Sequence, residues 1–76
     1  MSIIIYSTPF CGYCQKAKEY FKSRNLSFQE IDISKDKTKA EEMIRLSGGY
    51  SVPVILINGQ ICVGWNQSRI KQLLGE

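Results

Sequence analysis

The chain has 76 residues, 43% hydrophobic and 22% charged, with ten Lys and Arg against seven Asp and Glu, no histidine and a net charge of +3. This is the composition of one ordinary globular domain, residues 1–76, with little stability in reserve, and it excludes a disordered chain. The cations are scattered without an interleaved stripe of stacking aromatics, which argues against nucleic acid, and no run nears the roughly 18 apolar residues of a membrane span.

The start, MSIIIYS, has no basic leader region and only a short apolar stretch, Ile3 to Tyr6, so the expected location is the reducing cytoplasm. Ser2 to Tyr6 is continuously apolar and β-branched, the mark of a strand buried on both faces. From Tyr13 to Arg24, Cys14, Ala17, Tyr20 and Phe21 recur at helical spacing while lysines take the other face, and Asn25 is a left-handed stop. Leu26 to Ile33 alternates as a second strand. A strand, a helix and a strand within about thirty residues predict a right-handed βαβ unit with a parallel pair.

Asp36 to Ser47 predicts a second helix with Ala40, Met43 and Ile44 inward, closed by Gly48-Gly49. VPVILI and QICV flank Asn58-Gly59, a strong hairpin signal. Asn66 or Ser68 caps a last helix carrying Ile70, Leu73 and Leu74. The expected architecture is therefore α/β, in the order βαβ-α-ββ-α. Its four-stranded mixed sheet has the hairpin antiparallel to the first two strands and helices on both faces. Cys62 falls opposite Ile55 in that hairpin, as a buried and inert thiol.

Cys11 and Cys14 are the residues with chemistry to explain. Structural zinc wants four Cys or His ligands, and this chain offers one close pair, no histidine and one buried cysteine, so no metal site is expected. A Cys11–Cys14 bridge closes too short a loop to serve as a staple. A CxxC beside a βαβ pattern points instead to redox work. As N-cap of the first helix, Cys11 faces the unpaired amides around Tyr13 and Cys14 and the positive end of the helix dipole. Its pKa is expected below the free value of about 8.5, with Lys16 or Lys18 adding to the effect. Cys11 then attacks a substrate disulfide, and Cys14, one turn inward, resolves the mixed disulfide.

From IIIYSTPFCGYC through SVPVILINGQ to GWNQSRI, the whole chain resembles a small glutaredoxin of the thioredoxin-fold superfamily. The resemblance implies a nucleophilic Cys11, a resolving Cys14, a Tyr13 that lines the groove, and a cis Val52-Pro53 whose Val52 backbone pairs with glutathione or substrate as an added strand. It implies no bound cofactor, glutathione as reductant, protein disulfides as substrates, and a monomer. Many members carry a lysine where this chain has Thr8, and Gly-Gly, one residue, then Asp-Asp where it has Val63-Gly64-Trp65-Asn66-Gln67. Those charges hold glutathione, so Thr8, Gly64, Trp65, Asn66 and Gln67 mark a binding set with its charges removed. The Gly-aromatic version is similar to small redoxins that feed ribonucleotide reductase and take electrons from thioredoxin reductase. Gly12 stands where many members have proline, and some with a small residue there hold a [2Fe–2S] cluster between two subunits.

Overall fold

A run of isoleucines that can turn neither face to water belongs inside a sheet, and β1 (Ile3–Ser7) lies there. It pairs parallel with β2 (Gln29–Asp32) and antiparallel with β3 (Val54–Ile57). In this computed structural model, which describes residues 2–75, β4 (Gln60–Val63) completes the sheet order β2-β1-β3-β4. The mixed α/β architecture matches the expected one. Asn58 and Gly59 both take positive φ, 52° and 82°, which suits the tight turn joining β3 and β4.

The two faces of the sheet bury separate clusters. Ile3, Ile5, Ile55, Ile57 and Cys62 pack against Ala17 and Phe21 of α1 (Gly12–Ser23) and Ile70 of α3 (Gln67–Leu74). Each fully buried aliphatic or Phe side chain contributes about 1.5–3 kcal/mol. On the other face Tyr6 and Val54 meet Met43 of α2 (Lys37–Ser47). The Tyr6 hydroxyl donates to Glu42 at 2.6 Å. Burial first, then that carboxylate, pushes the phenol up to about 12.

Several boundaries differ from the sequence expectation: β1 runs Ile3–Ser7 where the sequence predicts Ser2 to Tyr6, and α2 begins at Lys37, one residue after Asp36. Helix α1 begins at Gly12 and ends at Ser23, so Asn25, with φ 58°, lies just beyond the Arg24 cap. β2 is confined to Gln29–Asp32 because a parallel partner extends only as far as β1 can pair, here Ile4 to Ser7; Leu26 and Phe28 pack on the α1 face instead. Pro53 precedes β3 rather than opening it. Of the two caps expected for the last helix, Asn66 and not Ser68 takes the role, its side chain accepting the Arg69 amide, and at the head of α2 the Asp36 carboxylate accepts the Lys39 amide, both at 3.1 Å.

Lys18 is not available to Cys11, because its ammonium donates to Glu30 at 2.8 Å, and buried Ser7 donates to the same carboxylate oxygen at 2.9 Å. The Lys18 hydrogen bond, helped by that of Ser7, holds Glu30 below its ordinary value of 4.5. A depressed folded-state pKa contributes stability above the unfolded value and loses it as pH falls through the folded one. Glu30→Gln is therefore expected to lower the melting temperature at pH 7 and to flatten its fall below about pH 4.5. The effect is under about 1 kcal/mol, since solvent screens a pair whose glutamate side chain is 39% exposed. A thermal-melt series from pH 7 to pH 3 checks it; identical slopes in both proteins would rule the ion pair out as a source of the acid limb.

Candidate active site

Sheet register decides what lies beside Cys11. β1 ends at Ser7, and its neighbour Tyr6 pairs with Val54, which in turn pairs with Val63. The segment after β1, the segment before β3 and the segment after β4 therefore meet at one end of the sheet. These are residues 8–11, 52–53 and 64–66. The Gly64 amide donates to the Pro53 carbonyl at 2.8 Å, with Gly64 at φ 81°, a conformation a side chain rarely tolerates. The Val52-Pro53 bond is cis, and Pro53 is buried. Ladder pairing begins at Val54, so the main chain of half-buried Val52 is left out of it.

Cys11 and Cys14 form a disulfide with Cα atoms 5.2 Å apart. Cys11 is the N-cap: its Sγ accepts the Cys14 amide hydrogen at 3.1 Å, while its own amide donates to the Thr8 carbonyl at 3.3 Å. The sulfur thus sits at the positive end of the α1 dipole, where negative charge is stabilised. Cys14 is fully buried and Cys11 only partly so. An incoming disulfide meets Cys11 first. Cys62 pairs with Ile55 as expected; burial pushes its thiol up, and its Sγ lies 3.7 Å from the Gly64 carbonyl.

The remaining expected site residues divide into two groups. Thr8, Val52, Pro53 and Gly64 gather at the sheet end. Trp65 and Gln67 face the flank of α1 instead, with Trp65 edge-on to Tyr20 at 5.5 Å. Asn66 spends its side-chain oxygen on the α3 cap. That oxygen keeps one lone pair and the side chain its amide donor, but it carries no charge to hold the glutathione ammonium. Tyr13 is 59% exposed, and the Lys16 ammonium lies 5.3 Å from its ring centroid.

Two further aromatics stand out at 97% and 81% exposure, Phe10 and Tyr50. Sequence reasoning passed over them, although an aromatic in the loop beside each functional motif was the available signal. Among the described residues no cluster of three or more metal-ligating side chains occurs, so a [2Fe–2S] cluster would need ligands from outside the chain.

A reversible dithiol at a helix N-terminus, on a mixed sheet with the thioredoxin-like topology and beside a cis-proline, defines a thiol–disulfide oxidoreductase of the thioredoxin fold. The glutaredoxin family model matches residues 3–62, and the chain belongs to that family. It is 47% identical over 72 residues to an uncharacterized glutaredoxin-like 8.6 kDa protein of the rubredoxin operon of Clostridium pasteurianum, covering 95% of this chain and 96% of that one. It is 42% identical to glutaredoxin 3 of Escherichia coli K12 over 59 residues, 78% of this chain and 71% of that one. Among solved structures it is similar to the glutaredoxin-like NrdH-redoxin of Escherichia coli, with TM-score 0.85 and 26% identity, covering 96% of this chain and 95% of that one.

Proposed function

We propose that this protein is a monomeric, cytoplasmic reductant of protein disulfides and glutathione mixed disulfides, with glutathione as its electron donor. The observation that carries the reading is the asymmetric pair: a partly exposed Cys11 capping α1 and a fully buried Cys14 one turn behind it. The Cys11 thiolate attacks one sulfur of the substrate disulfide; a Cys11–substrate bond forms, and the other substrate sulfur leaves and takes a proton. Cys14 then gives up its proton and attacks the Cys11 sulfur. The second substrate thiol is released, and the Cys11–Cys14 disulfide remains.

Two glutathione thiols return the pair to the reduced state and leave as glutathione disulfide. Thr8, Tyr13, Val52 and Pro53 would border the bound tripeptide, with the free Val52 main chain pairing to it as an added strand. Gly64 and Asn66 would close the other side, next to Trp65 and Gln67, which face the flank of α1.

The Asn66 cap favours a second reading of the donor. With Thr8 uncharged and Asn66 an uncharged side chain already engaged by its helix, two of the charged anchors for a charged tripeptide are missing, and the NrdH-redoxin neighbour is described as having a thioredoxin-like activity profile. A paired assay on one disulfide substrate separates the donors. NADPH, glutathione and glutathione reductase go in one cuvette, and NADPH with thioredoxin reductase in the other. Turnover in the first is the expected outcome; turnover confined to the second assigns the protein to redoxins of the ribonucleotide-reductase type.

A further inference from the structure

Two depressions share a wall beside the disulfide. Gly12, Tyr13 and Lys16 line one of about 240 Å³ at the head of α1. Lys16 also borders the second, about 460 Å³, whose walls are Glu19, Tyr20 and Ser23 on the helix and Trp65 and Gln67 across from it. The helical residues recur at three- and four-residue spacing and so form one stripe down α1. From Gly12 to Ser23 that stripe runs about 16 Å at 1.5 Å per residue. This matches about five extended residues. Glutathione, a tripeptide with its cysteine in the middle, cannot place its sulfur at Cys11 and still reach Ser23.

We propose that the groove along α1, from Lys16 to Ser23 and opposite Trp65 and Gln67, seats the extended polypeptide flank of a protein disulfide substrate while the reacting sulfur meets Cys11. The proposal rests on the thiol-exchange reading of the site. Its occupant is argued from the walls. A peptide main chain alternates donors and acceptors, and the groove offers a Lys16 ammonium, a Glu19 carboxylate and a Gln67 amide that supplies both. Ser23 donates its hydroxyl to the Tyr20 carbonyl at 2.7 Å and keeps acceptor capacity.

The floor supplies a further reason. The Tyr20 hydroxyl is buried and has no hydrogen-bond partner among the described residues, while Trp65 packs edge-on against its ring. A buried hydroxyl left unpaired is unfavourable. A substrate carbonyl that draws the indole outward gives this hydroxyl the partner it lacks.

The experiment compares two substrates in wild type, Ser23→Trp and Tyr20→Phe, with dithiothreitol as donor and the uncatalysed exchange subtracted. One substrate is bis(2-hydroxyethyl) disulfide, which has no flank; the other is a peptide disulfide with about six residues on either side, enough to span the stripe. Ser23→Trp fills the far end and is expected to raise KM for the peptide about tenfold, with kcat and small-disulfide turnover unchanged. Tyr20→Phe is expected to raise peptide KM about threefold while keeping or raising the melting temperature, because it deletes an unpaired hydroxyl. Peptide kinetics equal to wild type in both variants, or an equal loss on both substrates, would overturn the groove. Failure of wild type to reduce either substrate would instead remove the exchange reading on which it stands.

Discussion

Cys11→Ser is expected to reduce disulfide turnover to the uncatalysed background, a loss on the order of a thousandfold or more, because a serine hydroxyl is not ionised at neutral pH and cannot replace a thiolate nucleophile. Cys14→Ser should behave differently. It keeps the capping sulfur and the first attack, so it loses dithiol reduction of protein disulfides but retains removal of glutathione from mixed disulfides, where an external thiol completes the cycle. Brief alkylation of the reduced protein at pH 6, read by mass spectrometry, tests the same ordering: partly exposed Cys11 is labelled first, ahead of buried Cys14 and buried Cys62. Activity in Cys11→Ser, or labelling of Cys14 ahead of Cys11, would reverse the assigned roles.

The second large effect is a gain. Thr8→Lys with Asn66→Asp and Gln67→Asp restores one cation and two anions for the carboxylates and ammonium of glutathione. A hydrogen bond to a charged group contributes about 1.5–3 kcal/mol, so each well-placed charge is worth about tenfold or more in affinity. The triple variant is expected to lower the KM for glutathione by at least about tenfold with little change in kcat. Fold loss is not a confounder at position 66, because aspartate caps a helix as well as asparagine does and can still accept the Arg69 amide. Unchanged glutathione kinetics in a variant that melts like wild type would show that charge is not what sets this affinity.

How much could be read from the chain depends on how far away each residue's partner lies. Ile3 to Ile5 announced an interior strand, and Asn58-Gly59 announced the hairpin, because in both cases the signal is carried by the residues themselves. The extent of β2 was not legible: it is set by what β1 leaves to pair with, and Leu26 and Phe28 obey the core beneath α1 more than their own alternation. Within the site, the cysteine pair and Pro53 carry local motifs. The Asn66 cap of α3, offered with Ser68 as its alternative, was legible locally too, but the role of Lys18 was not, because Glu30 claims it from another element. The groove beside Tyr20 was hidden for the same reason, since it exists only where Trp65 is brought back against α1.

The bond from the Cys14 amide to the Cys11 sulfur can also be followed in the opposite direction. If the amide favours a charged sulfur, the charged sulfur must by reciprocity favour a closed first turn of α1. Thiolate, thiol and disulfide sulfur differ in strength as acceptors, so the helix start is tightest in the reduced, ionised enzyme and loosest once the sulfur is neutral. The exchange rate of the Cys14 amide hydrogen thus becomes a built-in gauge of redox state, registering at the backbone what happens to an electron pair on a side chain.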